Sequence, residues 1–153
     1  MRNIMLVFDM DGTIADLYNV QDWLSSLVNE DTRPYDIAEP MFDRSMIACL
    51  EFLRNRGVKI VINSWLSKSG SDHYNKRVRN SKIQWLEKNG FPYDEVHITK
   101  YGRTKADAVR KKDGIKILFD DNKKVRKGWS LGEAYPPEQI MEVLGNLISG
   151  LDN

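Results

Sequence analysis

Two acidic residues two positions apart, Asp9 and Asp11, stand directly behind the apolar run Ile4 to Phe8 and are followed by Gly12 and Thr13. A second acidic pair, Asp120-Asp121, stands behind Ile115 to Phe119 in the same way. Carboxylates this close together repel one another, and a cation among them relieves the repulsion. If the two apolar runs are parallel strands of one sheet, all four carboxylates reach one edge, where open α/β sheets hold ligands. Gly12 would let the chain turn sharply there and bring backbone near a ligand. Cys49 is the only cysteine, and the two histidines, His73 and His97, are far apart in sequence, so a cysteine cage is excluded and zinc is disfavoured. An all-oxygen donor set points to a hard ion, Mg²⁺ first.

Positioning these carboxylates requires a parallel sheet, and the hydrophobic pattern supplies one. Asn3 to Phe8, Val58 to Ile62, Val96 with Ile98, and Ile115 to Phe119 read as four short buried strands. Val20, Trp23, Leu24, Leu27 and Val28 have the i, i+3, i+4, i+7, i+8 spacing of a helix with one buried stripe. Met46, Ile47, Leu50 and Leu53 repeat it, and Val78 to Lys88 predicts a further helix ending at Asn89-Gly90. Ile140 to Ile148 reads as a last amphipathic helix, entered through Pro136-Pro137. Strands alternating with helices predict an α/β fold with a parallel sheet covered on both faces.

With 153 residues, 41% of them hydrophobic, the chain can bury a real core as one domain spanning 1–153. No apolar run approaches the roughly 18 residues of a membrane span, and the start lacks the pattern of a signal peptide, so a cytoplasmic protein without a membrane role is expected. Net charge is only +1, yet residues 61–130 carry 17 basic against 8 acidic side chains. A basic middle can face phosphate or nucleic acid, or form solvated helix faces.

The run Phe8-Asp9-Met10-Asp11-Gly12-Thr13 closely resembles the first signature of the haloacid-dehalogenase-like (HAD) phosphohydrolases. Val61-Ile62-Asn63-Ser64 resembles the second signature, and Leu118-Phe119-Asp120-Asp121 the fourth. For the third, a lysine before the last strand, Lys100 and Lys105 compete; Lys105 is preferred because Thr104 would cap a helix and hold it in the first turn. The resemblance covers residues 4–127 and implies a three-layer Rossmann-like fold and an Mg²⁺-dependent phosphatase. It implies Asp9 as nucleophile and Asp11 as general acid and base. Asp9, Asp11 (through its main-chain carbonyl), Asp120 and Asp121 would hold the metal, while Ser64, Lys105, Gly12 and Thr13 would bind phosphate.

Substrate choice in this family comes from cap insertions, and residues 14–40 leave room for one helix and a loop. The layout of Ser64, Lys68, Tyr74, Trp85 and Lys105 is similar to the deoxyribonucleotidase branch. Arg33-Pro34-Tyr35-Asp36, Ser69-Gly70 and Thr104-Lys105 resemble the phosphatase half of phage-type polynucleotide kinase–phosphatase. Trp65-Leu66 departs from both, which have proline or arginine close behind the serine. The expected substrate is therefore a small phosphorylated molecule, a nucleotide first, with a 3′-phosphorylated nucleic-acid end as alternative. A binding protein that holds a phosphorylated ligand without turnover is the rival of another class. Trp65, Lys68 and Tyr74 are candidate substrate contacts, the last two on a basic loop expected over Lys68 to Arg79.

Overall fold

The structure, a computed structural model, describes residues 3–151. Its strands in chain order are β1 (Ile4–Phe8), β2 (Ala15–Asp16), β3 (Glu39–Pro40), β4 (Lys59–Trp65), β5 (Glu95–Thr99), β6 (Ile115–Phe119) and β7 (Ala134–Tyr135). Its helices are α1 (Trp23–Val28), α2 (Arg33–Ile37), α3 (Arg44–Arg54), α4 (Asp72–Asn89), α5 (Lys123–Gly128) and α6 (Ile140–Leu151). Five strands form one sheet in the order β5-β4-β1-β6-β7, with every neighbouring pair parallel. The chain leaves β1 towards β4 and β5, then returns on the other side through β6 and β7. That change of direction opens a crevice at the carboxyl ends of β1 and β6. Phe8 pairs with both Ile62 and Phe119, so Asp9, Asn63 and Asp120 follow side by side.

Alternation along β1 builds the layers, since successive side chains leave a strand on opposite faces. Leu6 and Phe8 pack with Leu50 and Leu53 of α3, Trp85 and Leu86 of α4, and Leu144 of α6. Met5 and Val7 face the other way, onto Val61, Leu118, Val109 and Trp129. The three-layer α/β fold expected from the pattern is thus present. The strand β7 and the antiparallel pair β2–β3 were not anticipated: two residues each are too short to show periodicity. No described helix is long and apolar enough to cross a membrane.

Three further departures shape the site. The pairing of Ala15 with Pro40 and Asp16 with Glu39 pinches off residues 17–38, which hold a 3₁₀ turn (Leu17–Asn19), α1 and α2. This is two short helices where one was expected. Leu24 and Val28 of the stripe expected to be buried are 59% and 73% exposed. Only Trp23 and Leu27 of this six-residue helix pack inward, against the cluster of Leu17, Tyr35, Tyr74 and Val78, and the rest of the stripe faces elsewhere. The loop expected over Lys68 to Arg79 is helical from Asp72 onwards.

The N-terminus of α4 ties the insertion down. The Ser71 hydroxyl accepts the Tyr74 N–H (3.1 Å) and donates to Glu30 Oε1 (2.8 Å), while the Ser71 N–H donates to Glu30 Oε2 (2.9 Å). Ser71→Ala should lower stability by about 1 kcal/mol through loss of the cap alone, read as a lower urea midpoint with unchanged slope.

Candidate active site

Asp9 enters the crevice as β1 ends, its N–H donating to Phe119 O (2.9 Å). The turn behind it closes through the N–H groups of Thr13, Ile14 and Ala15, all donating to Met10 O. Gly12 sits at φ +79°, and a Cβ there would collide with the Asp121 carboxylate and lie 2.8 Å from the Tyr18 ring. The positive φ and the close approach both demand glycine.

Lys105 reaches this point from a 3₁₀ turn (Lys105–Ala108). Its Nζ donates to Asp9 Oδ1 (2.7 Å), Asp120 Oδ2 (2.9 Å) and Asn63 O (3.1 Å), and Asn63 Nδ2 returns a bond to Lys105 O (2.7 Å). Lys105 is therefore the lysine at the site and Lys100 is exposed. Thr104 precedes the turn as expected but its side chain makes no capping bond; a four-residue 3₁₀ turn leaves the side-chain bond to Asn63 as the anchor. The Thr13 hydroxyl accepts the Asp121 N–H (3.1 Å) and donates to Asp9 Oδ2 (3.0 Å). It orients the carboxylates rather than presenting itself to a phosphate. Ser64, fully buried at the end of β4, faces the same point, its Oγ 2.8 Å from Lys82 Nζ.

Lys82 has no counterpart in the sequence reading. It comes from the middle of α4, is 1% exposed, and donates to Asp11 Oδ2, Ser64 Oγ and Trp65 O, each at 2.8 Å. The signal was present: Lys82 follows Val78 by four and precedes Trp85 and Leu86 by three and four, so it lies inside the helix's buried stripe. A lysine is almost never fully buried without partners.

The electrostatics follow from crowding. Burial works against the Asp9 carboxylate, but the Lys105 ammonium and its hydrogen bond prevail and lower its pKa. Asp11 is raised, burial outweighing Lys82. Burial and the neighbouring Asp9 charge push Asp120 up to about 6 and Asp121 up to about 8. Asp9, Asp120 and Asp121 each offer an oxygen within 4.8 Å of the others. Three oxygen donors, two of them held above their ordinary range by burial and by the neighbouring Asp9 charge, fit a hard divalent cation. The Asp11 side chain stands outside this trio because Lys82 holds it.

Above the carboxylates lies a cleft of about 360 Å³ whose walls include Leu24, Val28, Tyr35, Trp65, Lys68 and Tyr101. The unburied face of α1 thus looks onto the cleft. Trp65 donates its indole N–H to Arg103 O (2.8 Å) and its ring lies 5.1 Å from both the Lys105 ammonium and the Tyr101 ring. Tyr74 is not at the cleft. It is 0% exposed, its hydroxyl donates to Asp31 O (2.9 Å), and it packs with Leu17, Tyr35 and Val78 beneath the insertion. Helix formation from Asp72 turned it inward.

No family model and no curated protein sequence matches the chain. Solved structures do. A chain of the Pnkp1/Rnl/Hen1 complex matches 88% of this chain at 16% identity and a TM-score of 0.56, this chain spanning 46% of its length. A hydrolase from Streptococcus pneumoniae TIGR4 matches 95% at 12% identity (TM-score 0.58, all of its own length). The D,D-heptose 1,7-bisphosphate phosphatase from B. bronchiseptica, complexed with magnesium and phosphate, matches 96% at 9% identity (TM-score 0.57, 99% of its length). The chain shares their fold, a parallel sheet covered by helices on both faces. At these identities the likeness speaks for the fold, and the site is read from its own residues.

Tyr74→Phe separates packing from substrate contact. It should reduce stability by about 1 kcal/mol, the usual net worth of one hydrogen bond, with kcat and KM unchanged on any substrate the protein turns over.

Proposed function

We propose that the protein is an Mg²⁺-dependent phosphomonoesterase working through an aspartyl-phosphate, with a nucleotide as substrate. The observation that carries this reading is the state of Asp9. It is a carboxylate kept ionised at the floor of a cleft, with Lys105 on Oδ1 and Thr13 on Oδ2. A fixed, charged carboxylate is suited to in-line attack on phosphorus. Asp9, Asp120, Asp121 and the Asp11 carbonyl would hold Mg²⁺, which when bound would screen the repulsion between carboxylate and phosphate. Ser64 and Lys105 receive phosphate oxygens and offset the charge that develops on them. An Asp9 oxygen bonds to phosphorus as the ester P–O bond breaks, and Asp11 gives its proton to the departing oxygen. Asp11 then takes a proton from water attacking the phosphoaspartate, which frees Asp9 and phosphate. Residues 17–38 act as a small cap. The cleft volume and its Trp65, Tyr101 and Tyr35 rings suit a base, since stacking is worth roughly 1–3 kcal/mol per base.

A specific observation favours a nucleic-acid end as second reading. Trp65 and Tyr101 also line a neighbouring hollow of about 370 Å³ bordered by Thr104, Lys124 and Trp129. A strand could cross from one to the other. The non-catalytic reading is disfavoured by the ionised, positioned Asp9.

Phosphate release from 5′-mononucleotides, sugar phosphates and 3′-phosphorylated oligonucleotides distinguishes these readings. A mononucleotide should give the highest kcat/KM with weak salt dependence, and Asp9→Asn should abolish turnover on all substrates. An oligonucleotide preferred many-fold at low salt, its advantage collapsing with a slope near −0.7 per phosphate contacted, would select the second reading. Turnover surviving in Asp9→Asn would place the nucleophile elsewhere.

A further inference from the structure

We propose that Lys82 is a positioning residue for acid–base chemistry, holding Asp11 and Ser64 in one fixed arrangement; the assignment rests on the phosphatase reading above. All three ammonium hydrogens have an acceptor, on Asp11 Oδ2, Ser64 Oγ and Trp65 O. With Oδ2 engaged, Oδ1 is the Asp11 oxygen left to exchange a proton with the leaving group and later with water. The same ammonium orders the Ser64 hydroxyl by occupying a lone pair on its oxygen, which turns its hydrogen towards the site.

The mounting is rigid. Lys82 projects from the middle of an 18-residue helix that is capped at both ends, and its ammonium lies 5.1 Å from the Tyr35 ring of the insertion. Groups held by locked neighbours on regular elements keep reacting geometry better than groups on loops. Asp11 lies on a loop, so Lys82 gives it the rigidity of α4. Lys105 has its partners on Asp9, Asp120 and Asn63 O. The two buried lysines therefore divide the site: Lys105 serves the nucleophile and metal side, Lys82 the proton-transfer side.

The test compares leaving groups. An aryl ester such as p-nitrophenyl phosphate departs without a proton, whereas a nucleoside 5′-phosphate leaves as an alkoxide and needs one. General acid–base assistance contributes about 10²- to 10⁴-fold. Lys82→Met should therefore lower kcat/KM, which reports the steps up to leaving-group departure, by about a hundredfold or more on the nucleotide and by less than about tenfold on the aryl ester. Hydrolysis of the common phosphoaspartate, for which Asp11 is the base, should slow alike for both. Lys82→Arg should recover part of the nucleotide rate. Because Lys82→Met leaves Asp11 buried without its partner, the Asp11→Asn/Lys82→Met double variant is compared with Asp11→Asn, the neutral pair guarding against misfolding. Adding Lys82→Met to Asp11→Asn should cost little further rate on the nucleotide. Equal losses of kcat/KM on both esters, or losses that multiply in the double variant, would overturn the assignment while leaving the phosphatase reading intact. A wild-type protein inert towards every phosphate ester would overturn both.

Discussion

Like charge gathered at one sheet edge is the constraint on which the rest of the molecule depends. Asp9, Asp11, Asp120 and Asp121 are brought together by the pairing of β1 with β6, and a chain with no answer to their repulsion would not close there. The answer is two buried ammonium groups from opposite sides. Lys105 lies between Asp9 and Asp120, and Lys82 between Asp11 and Ser64. Removing one member of a buried ion pair typically costs about 3–5 kcal/mol because the other is left uncompensated. The geometry that makes chemistry possible is therefore also a condition of the fold. Two carboxylates remain partly unanswered, Asp120 and Asp121, and they are the ones a divalent cation would satisfy.

The surroundings serve that cluster. The long helix α4 supplies Lys82 on its buried face and carries the insertion on its N-terminal half, through Tyr74, Val78 and the Ser71–Glu30 bonds. One element thus fixes both a charge beneath the site and the wall above it. The insertion gives up burial in return: Leu24 and Val28 remain open to the cleft, where, under the proposed function, the non-phosphate part of a substrate would cover them. Apolar surface left beside a charged floor suits a ligand with a phosphate at one end and a flat ring at the other.

The sequence revealed most where the physics is local. Short apolar runs ending in aspartate announced β1 and β6, and their parallel pairing put both acidic pairs on one edge as expected. Lys105 and Lys100 both precede β6, and the Thr104 cap that favoured Lys105 is not formed; the bond from the Asn63 side chain to the Lys105 carbonyl, which joins residues 42 apart in sequence, holds it instead. Lys82 was hidden because an interior lysine in a helix ordinarily belongs to the solvated face. Only its register with Val78, Trp85 and Leu86 marks it as buried. The Val20 to Val28 stripe carried a true helix signal around a false inference, since periodicity reports which side is apolar and not what lies opposite. Tyr74 was misplaced for the related reason that a polar, basic stretch around it concealed a helix starting at Asp72.

If the carboxylate edge is built for a cation, the protein without substrate should register one. The direct measurement is thermal unfolding with Mg²⁺ and with chelator, on the wild type and on the Asp120→Asn/Asp121→Asn variant, which keeps the shape and removes the charge. Saturation near a hundred times Kd corresponds to about 2.7 kcal/mol, so Mg²⁺ should raise the wild-type Tm by roughly 5–10 °C for a chain of this size. The variant should show almost no rise. A wild-type Tm indifferent to Mg²⁺, or a rise of equal size in the variant, would contradict the account.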